Sequence, residues 1–277
     1  LVGSEMCIRD SEKLNARRTE WEWLLDRIFE QGKSLSALDR CIGQEIKELG
    51  KPAFRHQIVL GLPEAIRGQK DWGKLDGREM DFSKEEDQIA ATKWYIGELV
   101  ERFKAAKYKH LELSGFYWVA EDTHHCAELT IPLSEYIHSE GKLFYWIPYW
   151  QAKGHEEWKR LGFDVAYQQP NHFFNHSIPD SRLDEACATA RRHGMAMEFE
   201  FDEKATAAIP NSSYDRMVAY IDHFEKNDVF NSSAVAYYCG NRGVLTLDES
   251  DNPKDKALMD RLARIIQARR YLKYGIP

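Results

Sequence analysis

The sequence predicts an α/β protein built as a (β/α)8 TIM-type barrel. Two observations lead to this class: short apolar strands recur along the chain, and a loop and an amphipathic helix follow each strand. Strict alternation of strand and helix gives parallel strands with the helices outside them. An open, doubly wound sheet is the alternative. Its nucleotide-binding versions have no support, because no Gly-x-Gly-x-x-Gly motif or phosphate-binding loop follows any strand.

Two predicted helices, at 20–30 and 35–49, precede the alternating part of the chain. Strands are predicted at 56–65, 110–121, 142–150, 164–171, 195–203 and 233–240. The helices after them are predicted at 83–106, 129–140, 155–162, 181–194, 212–226 and 253–272. Six strands are visible, fewer than a closed barrel needs, so we expect the barrel to lack its first strand in this sequence.

The first eleven residues, LVGSEMCIRDS, have the pattern of neither a helix nor a strand. They can be back-translated into a codon run that resembles a transposon-based sequencing adapter. We therefore interpret 1–11 as an adapter-derived, non-native segment of a bacterial metagenomic fragment, and 12–277 as a single (β/α)-barrel domain. On this interpretation the native N-terminus, with any signal region and the missing strand, lies upstream.

Composition and net charge limit the classes of partner that the sequence predicts. The chain has 277 residues, of which 43% are hydrophobic and 30% charged, as in a globular protein. The net charge of −7 argues against a nucleic-acid partner, because phosphate binding needs a basic surface. No apolar run reaches the roughly 18 residues of a membrane span. The oligomeric state is left open.

The stretch MAMEFEFDE, 195–203, alternates strictly between apolar and polar residues. In a barrel strand with this pattern, Met197, Phe199 and Phe201 face the helices while Glu198 and Glu200 point inward. Active sites of this fold lie at the C-terminal mouth, so both acids are candidate catalytic residues. In the alternative, Glu198 is a structural acid bonded to a Lys, Arg or Tyr, and Asp202 caps the following loop.

Polar and aromatic side chains also follow the other predicted strands. Glu121 ends the 110–121 strand and is the third candidate catalytic acid. Aromatic faces stack on pyranose rings and amides bond sugar hydroxyls, so a carbohydrate is the expected ligand. In the alternative, any single aromatic on a strand packs in the core. The candidate substrate-binding residues are Trp118, Trp146, Tyr149, Trp150, Gln169, Asn171, Asp202, Tyr237 and Tyr238.

From about Thr19 onward, the chain resembles the uncharacterised bacterial family called domain of unknown function 4855. The stretches that carry the resemblance include LELSGFYWVAE, FYWIPYWQAKGHEEWKRLGFDVAYQQPNHFFN, SRLDEACATARRHGMAMEFEFDE and VAYYCG. The resemblance implies a glycoside-hydrolase-like barrel and an extracellular or cell-envelope location. It implies no established activity.

Together these observations favour a glycoside hydrolase-like enzyme. Glu200 would act as nucleophile or base and Glu121 as general acid, and Glu198 would hold or tune Glu200. The alternative is a non-catalytic glycan-binding barrel. A sugar-phosphate enzyme would need a phosphate loop, for which CGNRG (239–243) is a faint candidate.

No cofactor and no metal are expected. His172 and His176 have i, i+4 spacing, but Pro170 and Asn171 just before them predict a loop and not a helix. His124 and His125 are expected to be rim residues beside Glu121.

Overall fold

The computed structural model describes residues 15–123, 127–240 and 242–274. The adapter-like segment 1–11 and His124 and His125 lie outside these ranges. The chain divides into two compact units. Unit 1 comprises Leu1–Trp146 and Glu157–Val165, and unit 2 comprises Ile147–Glu156 and Ala166–Pro277. The assignment of 12–277 to a single barrel domain stays a prediction.

Unit 1 contains three parallel strands and the helices around them. Strand β4 pairs with β1 on one side and with β5 on the other. Leu62 stands beside Trp118, and Trp118 beside Trp146, so one face of these strands is apolar at its carboxyl end. The elements are α1 (Arg18–Phe29), α2 (Ser34–Leu49), β1 (His56–Leu62), β2 (Lys74–Leu75), β3 (Arg78–Glu79), α3 (Glu85–Ala106), β4 (Leu111–Trp118), α4 (Ala127–Ser139) and β5 (Leu143–Trp146).

An aromatic cluster fixes α1 on unit 1. Helix α1 buries Trp21, Leu25 and Ile28, whose spacing places them on one side of a helix. The Trp21 ring meets Trp72 edge-on at 5.2 Å and Tyr95 of α3 at 5.6 Å. Burial of such rings is the main source of stability in a packed core.

Unit 2 contains three more parallel strands. Strand β7 pairs with β6 on one side and with β8 on the other. The elements are a 3-10 turn at His155–Glu157, β6 (Val165–Gln168), α5 (Ser181–His193), β7 (Ala196–Glu200), a second 3-10 turn at Glu203–Ala205, α6 (Tyr214–Lys226), α7 (Val229–Ser232), β8 (Val235–Tyr238), α8 (Gly243–Asp248) and α9 (Pro253–Tyr274). Glu157, the last residue of the first 3-10 turn, and Val165, the first residue of β6, belong to unit 1.

The predicted α/β class with parallel strands is confirmed. The described residues hold six strands of this kind, three in each unit, and the complete eight-stranded barrel is not among them. The predicted helix at 155–162 is wrong, since only the turn His155–Glu157 forms there. The antiparallel β2–β3 hairpin, which lies between β1 and α3, was not expected.

Candidate functional site

The acid-bearing strand β7 is buried on both faces. Glu198 is 6% exposed and Glu200 is 4% exposed. Phe199, between them, packs on α6, with its ring 5.0 Å from that of Tyr220 and 5.6 Å from that of Phe224. The expected contact of Phe199 with a helix is therefore found. Because side chains alternate along a strand, the two acids leave β7 on the face opposite Phe199.

Tyr220 of α6 reaches one of the two acids. Its hydroxyl donates a hydrogen bond of 2.5 Å to Oε2 of Glu200. Complete burial raises the pKa of Tyr220 well above its ordinary value, and the charges of Glu200 and Glu198 raise it further. The hydroxyl therefore stays protonated and remains a donor, which favours the ionised form of Glu200. The alternative prediction was a Lys, Arg or Tyr partner for Glu198, and Tyr220 is such a partner for Glu200.

Three amide side chains at or just after the end of β6, of which Gln169 and Asn171 were predicted site residues, organise the loop that follows β5. Nε2 of Gln168 donates to the carbonyl of Tyr149 at 3.2 Å, and Nε2 of Gln169 donates to that of Ile147 at 2.9 Å. Nδ2 of Asn171 donates to Oε1 of Gln169, and its Oδ1 accepts from the backbone N–H of Trp150 at 2.6 Å. Gln169 and Asn171 thus use much of their hydrogen-bonding capacity to hold the backbone of the loop after β5.

Two aromatic residues on that loop remain accessible. Tyr149 is exposed and Trp150 is half-buried. The guanidinium of Arg182 lies 4.7 Å from the centre of the Trp150 ring and covers one of its faces. Both residues belong to unit 2, as do the acids of β7.

The loop after β6 contains a buried histidine that sequence reasoning considered only as a metal ligand. Nε2 of His172 lies 2.8 Å from Oδ1 of Asp180. Burial lowers the pKa of His172 to about 4, so its ring is neutral. Arg216 of α6 donates to the backbone carbonyls of His172, Asn175 and Ile178 and so holds this loop in place. His176 instead bonds Ser213, at 3.0 Å.

The predicted ligand-binding residues near β8 differ in their surroundings. Tyr237 packs its ring 5.7 Å from that of Phe199, and burial raises its pKa. Tyr238 stands beside Glu200 in the strand register, is exposed, and meets the exposed Phe174 at 5.8 Å. Oδ1 of Asp202 accepts from the backbone N–H of Lys204 at 2.8 Å, so Asp202 caps the following turn, as the alternative predicted.

In unit 1 the predicted tryptophans are buried in the core. Trp146 stacks on Phe163 at 4.9 Å, and its Nε1 donates to the carbonyl of Ala120 at 2.8 Å. Trp118 packs edge-on against Phe144 at 6.2 Å. The predicted sugar contacts of both tryptophans therefore find no support, because neither ring presents a face to solvent.

Glu121, predicted as the last residue of its strand, lies beyond the end of β4 and is exposed. Sequence reasoning missed Tyr117 of β4 and Tyr145 of β5. These two tyrosines lie side by side on the less buried face of the two strands. Strict alternation with the buried Phe116 and Trp118 is the signal that could have separated them from the core aromatics.

The protein is an α/β protein, because its parallel strands are followed by helices. Its candidate site lies on unit 2, where strand β7 carries the buried acids. The family described as "Domain of unknown function (DUF4855)" matches residues 5–264, and the chain belongs to this family. No curated protein matches the chain. Within the described ranges, no helix has an apolar stretch long enough to cross a membrane.

Two solved structures are similar to the chain at low sequence identity. A putative alpha-L-fucosidase from Bacteroides thetaiotaomicron VPI-5482 is 13% identical, with a TM-score of 0.46 over 98% of this chain and 92% of that chain. The carboxyl transferase domain of Rhizobium etli pyruvate carboxylase is 10% identical, with a TM-score of 0.41 over 89% of this chain and 39% of that chain.

Proposed function

We propose that the protein is a carbohydrate-active, glycoside hydrolase-like enzyme that acts on a polysaccharide or oligosaccharide. The observation that carries the proposal is the pair of buried carboxyl groups, Glu198 and Glu200, on one face of β7, with a buried tyrosine hydroxyl on Glu200. We propose that the substrate binds at the C-terminal ends of the parallel strands, where barrel enzymes place their active sites.

Two neighbouring carboxyl groups in an interior are a costly arrangement. Desolvation disfavours each carboxylate by several kcal/mol, and two like charges on one strand face disfavour each other as well. Leu or Met at these positions would bury apolar surface without either cost. Clusters of this kind are retained at functional sites more often than elsewhere, which supports a chemical role for the pair.

The proposed roles follow from the surroundings of each acid. Glu200 acts as nucleophile or base, because the Tyr220 hydroxyl stabilises its carboxylate form. Glu198 on the same face adds negative charge and tunes Glu200. Glu121, the general acid in the sequence-based prediction, is exposed beyond the end of β4 in unit 1, and its role stays a prediction. A retaining mechanism would need about 5–5.5 Å between the two catalytic carboxyl groups, and an inverting mechanism about 6.5–9.5 Å.

Accessible aromatic rings of unit 2 provide stacking surfaces for sugar. Tyr149, Trp150 and Tyr238 each present ring area to solvent, unlike the tryptophans of unit 1. Tyr238 stands beside Glu200 in the register, so a sugar stacked on it would lie near the acid pair. An extracellular or cell-envelope location suits an enzyme that meets polysaccharide outside the cell, and we include that location in the proposal.

One observation favours a second candidate, a non-catalytic glycan-binding barrel of the cell envelope. The bond between Tyr220 and Glu200 is fully buried, as it would be for an acid that only maintains the fold. In that case the same aromatic rings would hold sugar without cutting it.

The test assays the protein for reducing-end release on a panel of plant and microbial glycans. Glu200→Gln and Glu121→Gln should each lower turnover by roughly 10²–10⁴-fold, since each removes a proton-transfer or nucleophilic group. Glu203→Gln is the matched control, because Glu203 is exposed just beyond β7 and its loss should leave turnover unchanged.

Glycan binding, measured by calorimetry, separates the two candidates. For an enzyme, the Gln variants should keep their affinity while losing turnover. Binding without turnover in the native protein would favour the non-catalytic barrel. Absence of both binding and turnover with every glycan would overturn both candidates.

A further inference from the structure

We propose that His155, Glu156 and His193 of unit 2 form a binding site for a divalent transition-metal cation, with Zn²⁺ as its best match. One candidate ligand atom from each residue lies within 4.8 Å of the other two. The three residues play no part in the carbohydrate proposal. They combine a turn after β5 with the end of α5, and so belong to different stretches of sequence.

The spacing is somewhat wider than that of a formed metal site. Zinc bonds of about 2.0–2.1 Å to nitrogen and oxygen place adjacent tetrahedral ligands about 3.3 Å apart. Nε2 of His193 already lies 3.7 Å from Oε1 of Glu156. The Glu156 side chain is 64% exposed, so a change of rotamer can bring its carboxylate to the cation without disturbing the core.

A hydrogen bond fixes the tautomer of His155 in the form that can bind a metal through Nε2. Its Nδ1 lies 2.6 Å from the carbonyl oxygen of Ala152, which can only accept, so Nδ1 carries the proton. Nε2 is then the ring atom with an electron pair to give. Metal-binding histidines in proteins commonly donate their second ring N–H to a carbonyl in this way.

The charges around His193 have both signs, since Arg191 and Arg192 lie in the same last turn of α5. His193 is the last residue of α5, where unsatisfied carbonyl groups give the helix end partial negative charge. Two imidazoles and one carboxylate leave a fourth position for water, which suits zinc and does not suit magnesium, a cation that prefers oxygen ligands. A bound ion would cross-link the segment Ile147–Glu156 to α5 within unit 2.

The experiment titrates Zn²⁺, Co²⁺ and Mg²⁺ into tag-free protein by calorimetry, with the visible spectrum of Co²⁺ as a report on tetrahedral geometry. We expect one equivalent of Zn²⁺, a tetrahedral Co²⁺ spectrum, and a higher Tm with Zn²⁺ present. His155→Gln, His193→Gln and Glu156→Gln should each weaken Zn²⁺ binding at least about tenfold, since even the loss of an outer-shell partner has that effect.

Two matched controls should bind Zn²⁺ like the native protein. Glu157→Gln changes the exposed neighbour of Glu156, and His176→Gln removes an exposed histidine elsewhere in unit 2. Glu156→Gln keeps the test decisive if a histidine variant does not fold. Equal Zn²⁺ affinity of native protein and Glu156→Gln, equal affinity of native protein for Mg²⁺ and Zn²⁺, or no Zn²⁺ binding would each overturn the proposal.

Discussion

The strands of unit 1 and unit 2 follow the same pattern of parallel pairing, yet they bury different chemistry. Among the described residues of unit 1, the buried polar side chains lie on helices and loops and not on its strands. In unit 2, Gln168 of β6 and Glu198 and Glu200 of β7 are buried on strands. The strands of unit 1 thus serve packing, while those of unit 2 bury polar groups that packing does not require.

Individual side chains illustrate the two kinds of strand, although both units bury polar atoms without a hydrogen-bond partner among the described residues, such as Nε1 of Trp118 in unit 1. Trp146 of unit 1 satisfies its only donor with a backbone carbonyl and stacks on Phe163. Gln168 of unit 2 directs its amide at loop carbonyls, and its Oε1 is buried with no hydrogen-bond partner among the described residues. A buried, unsatisfied acceptor has a cost of about 1–3 kcal/mol, which is a reason to look for function there.

The largest effect that tests this comparison is expected at Trp146. Trp146→Ala should lower the free energy of unfolding by about 3–5 kcal/mol, because it removes a fully buried ring and leaves a cavity. The measurement is urea unfolding followed by circular dichroism. Trp150→Ala in unit 2 is the control and should lower that free energy by no more than about 1 kcal/mol, since Trp150 is half-buried. Similar losses for the two variants would contradict the division between a fully buried tryptophan and an accessible one.

Sequence alone was sufficient for the α/β class and for the alternation of β7, because hydrophobic periodicity records both directly. It was not sufficient to tell core aromatics from exposed ones. Trp118 and Trp146 end their strands, as a ligand-binding residue would, but strand position does not say which face of the sheet a ring occupies. The face follows only once the register and the strand ends are known.

The partners of the acids were also out of reach of sequence reasoning. Tyr220 lies twenty residues beyond Glu200 and is brought to it by the packing of α6 on Phe199. Arg216, one turn earlier in α6, holds the loop of His172 through three backbone carbonyls. Such contacts depend on tertiary packing and leave no local pattern in the sequence.

The second expected effect concerns His172 and pH. Its pKa is lowered in the folded protein from 6.5 to about 4 by burial, so the unfolded chain binds the proton more readily between these values. The stabilisation from the neutral ring is therefore complete above pH 6.5 and is lost as pH falls toward 4. The loss should be as much as about 3 kcal/mol, measured by urea unfolding across this range.

His172→Gln is the control for this pH effect, since it keeps a polar side chain that does not titrate. The variant should be less stable than the native protein near neutral pH and should lose less stability on acidification. An unchanged slope of stability against pH in His172→Gln would contradict the assignment of the effect to this ring.

The third and smallest effect tests whether polar groups in unit 2 are satisfied or not, and two tyrosines provide a matched pair. Tyr220 and Tyr237 both pack their rings on Phe199, at 5.0 and 5.7 Å. The Tyr220 hydroxyl bonds the carboxylate of Glu200, whereas the Tyr237 hydroxyl is buried without a hydrogen-bond partner among the described residues.

Tyr220→Phe should lower the free energy of unfolding by about 1.5–3 kcal/mol, because it deprives a buried carboxylate of a donor. Tyr237→Phe should be neutral or stabilising, because it removes a polar atom that already had no partner. Urea unfolding of the two variants beside the native protein measures the difference. Equal effects of the two substitutions would mean that the hydroxyl of Tyr220 contributes no more to stability than the hydroxyl of Tyr237. In that case the stability of the buried Glu200 would not depend on the Tyr220 hydroxyl.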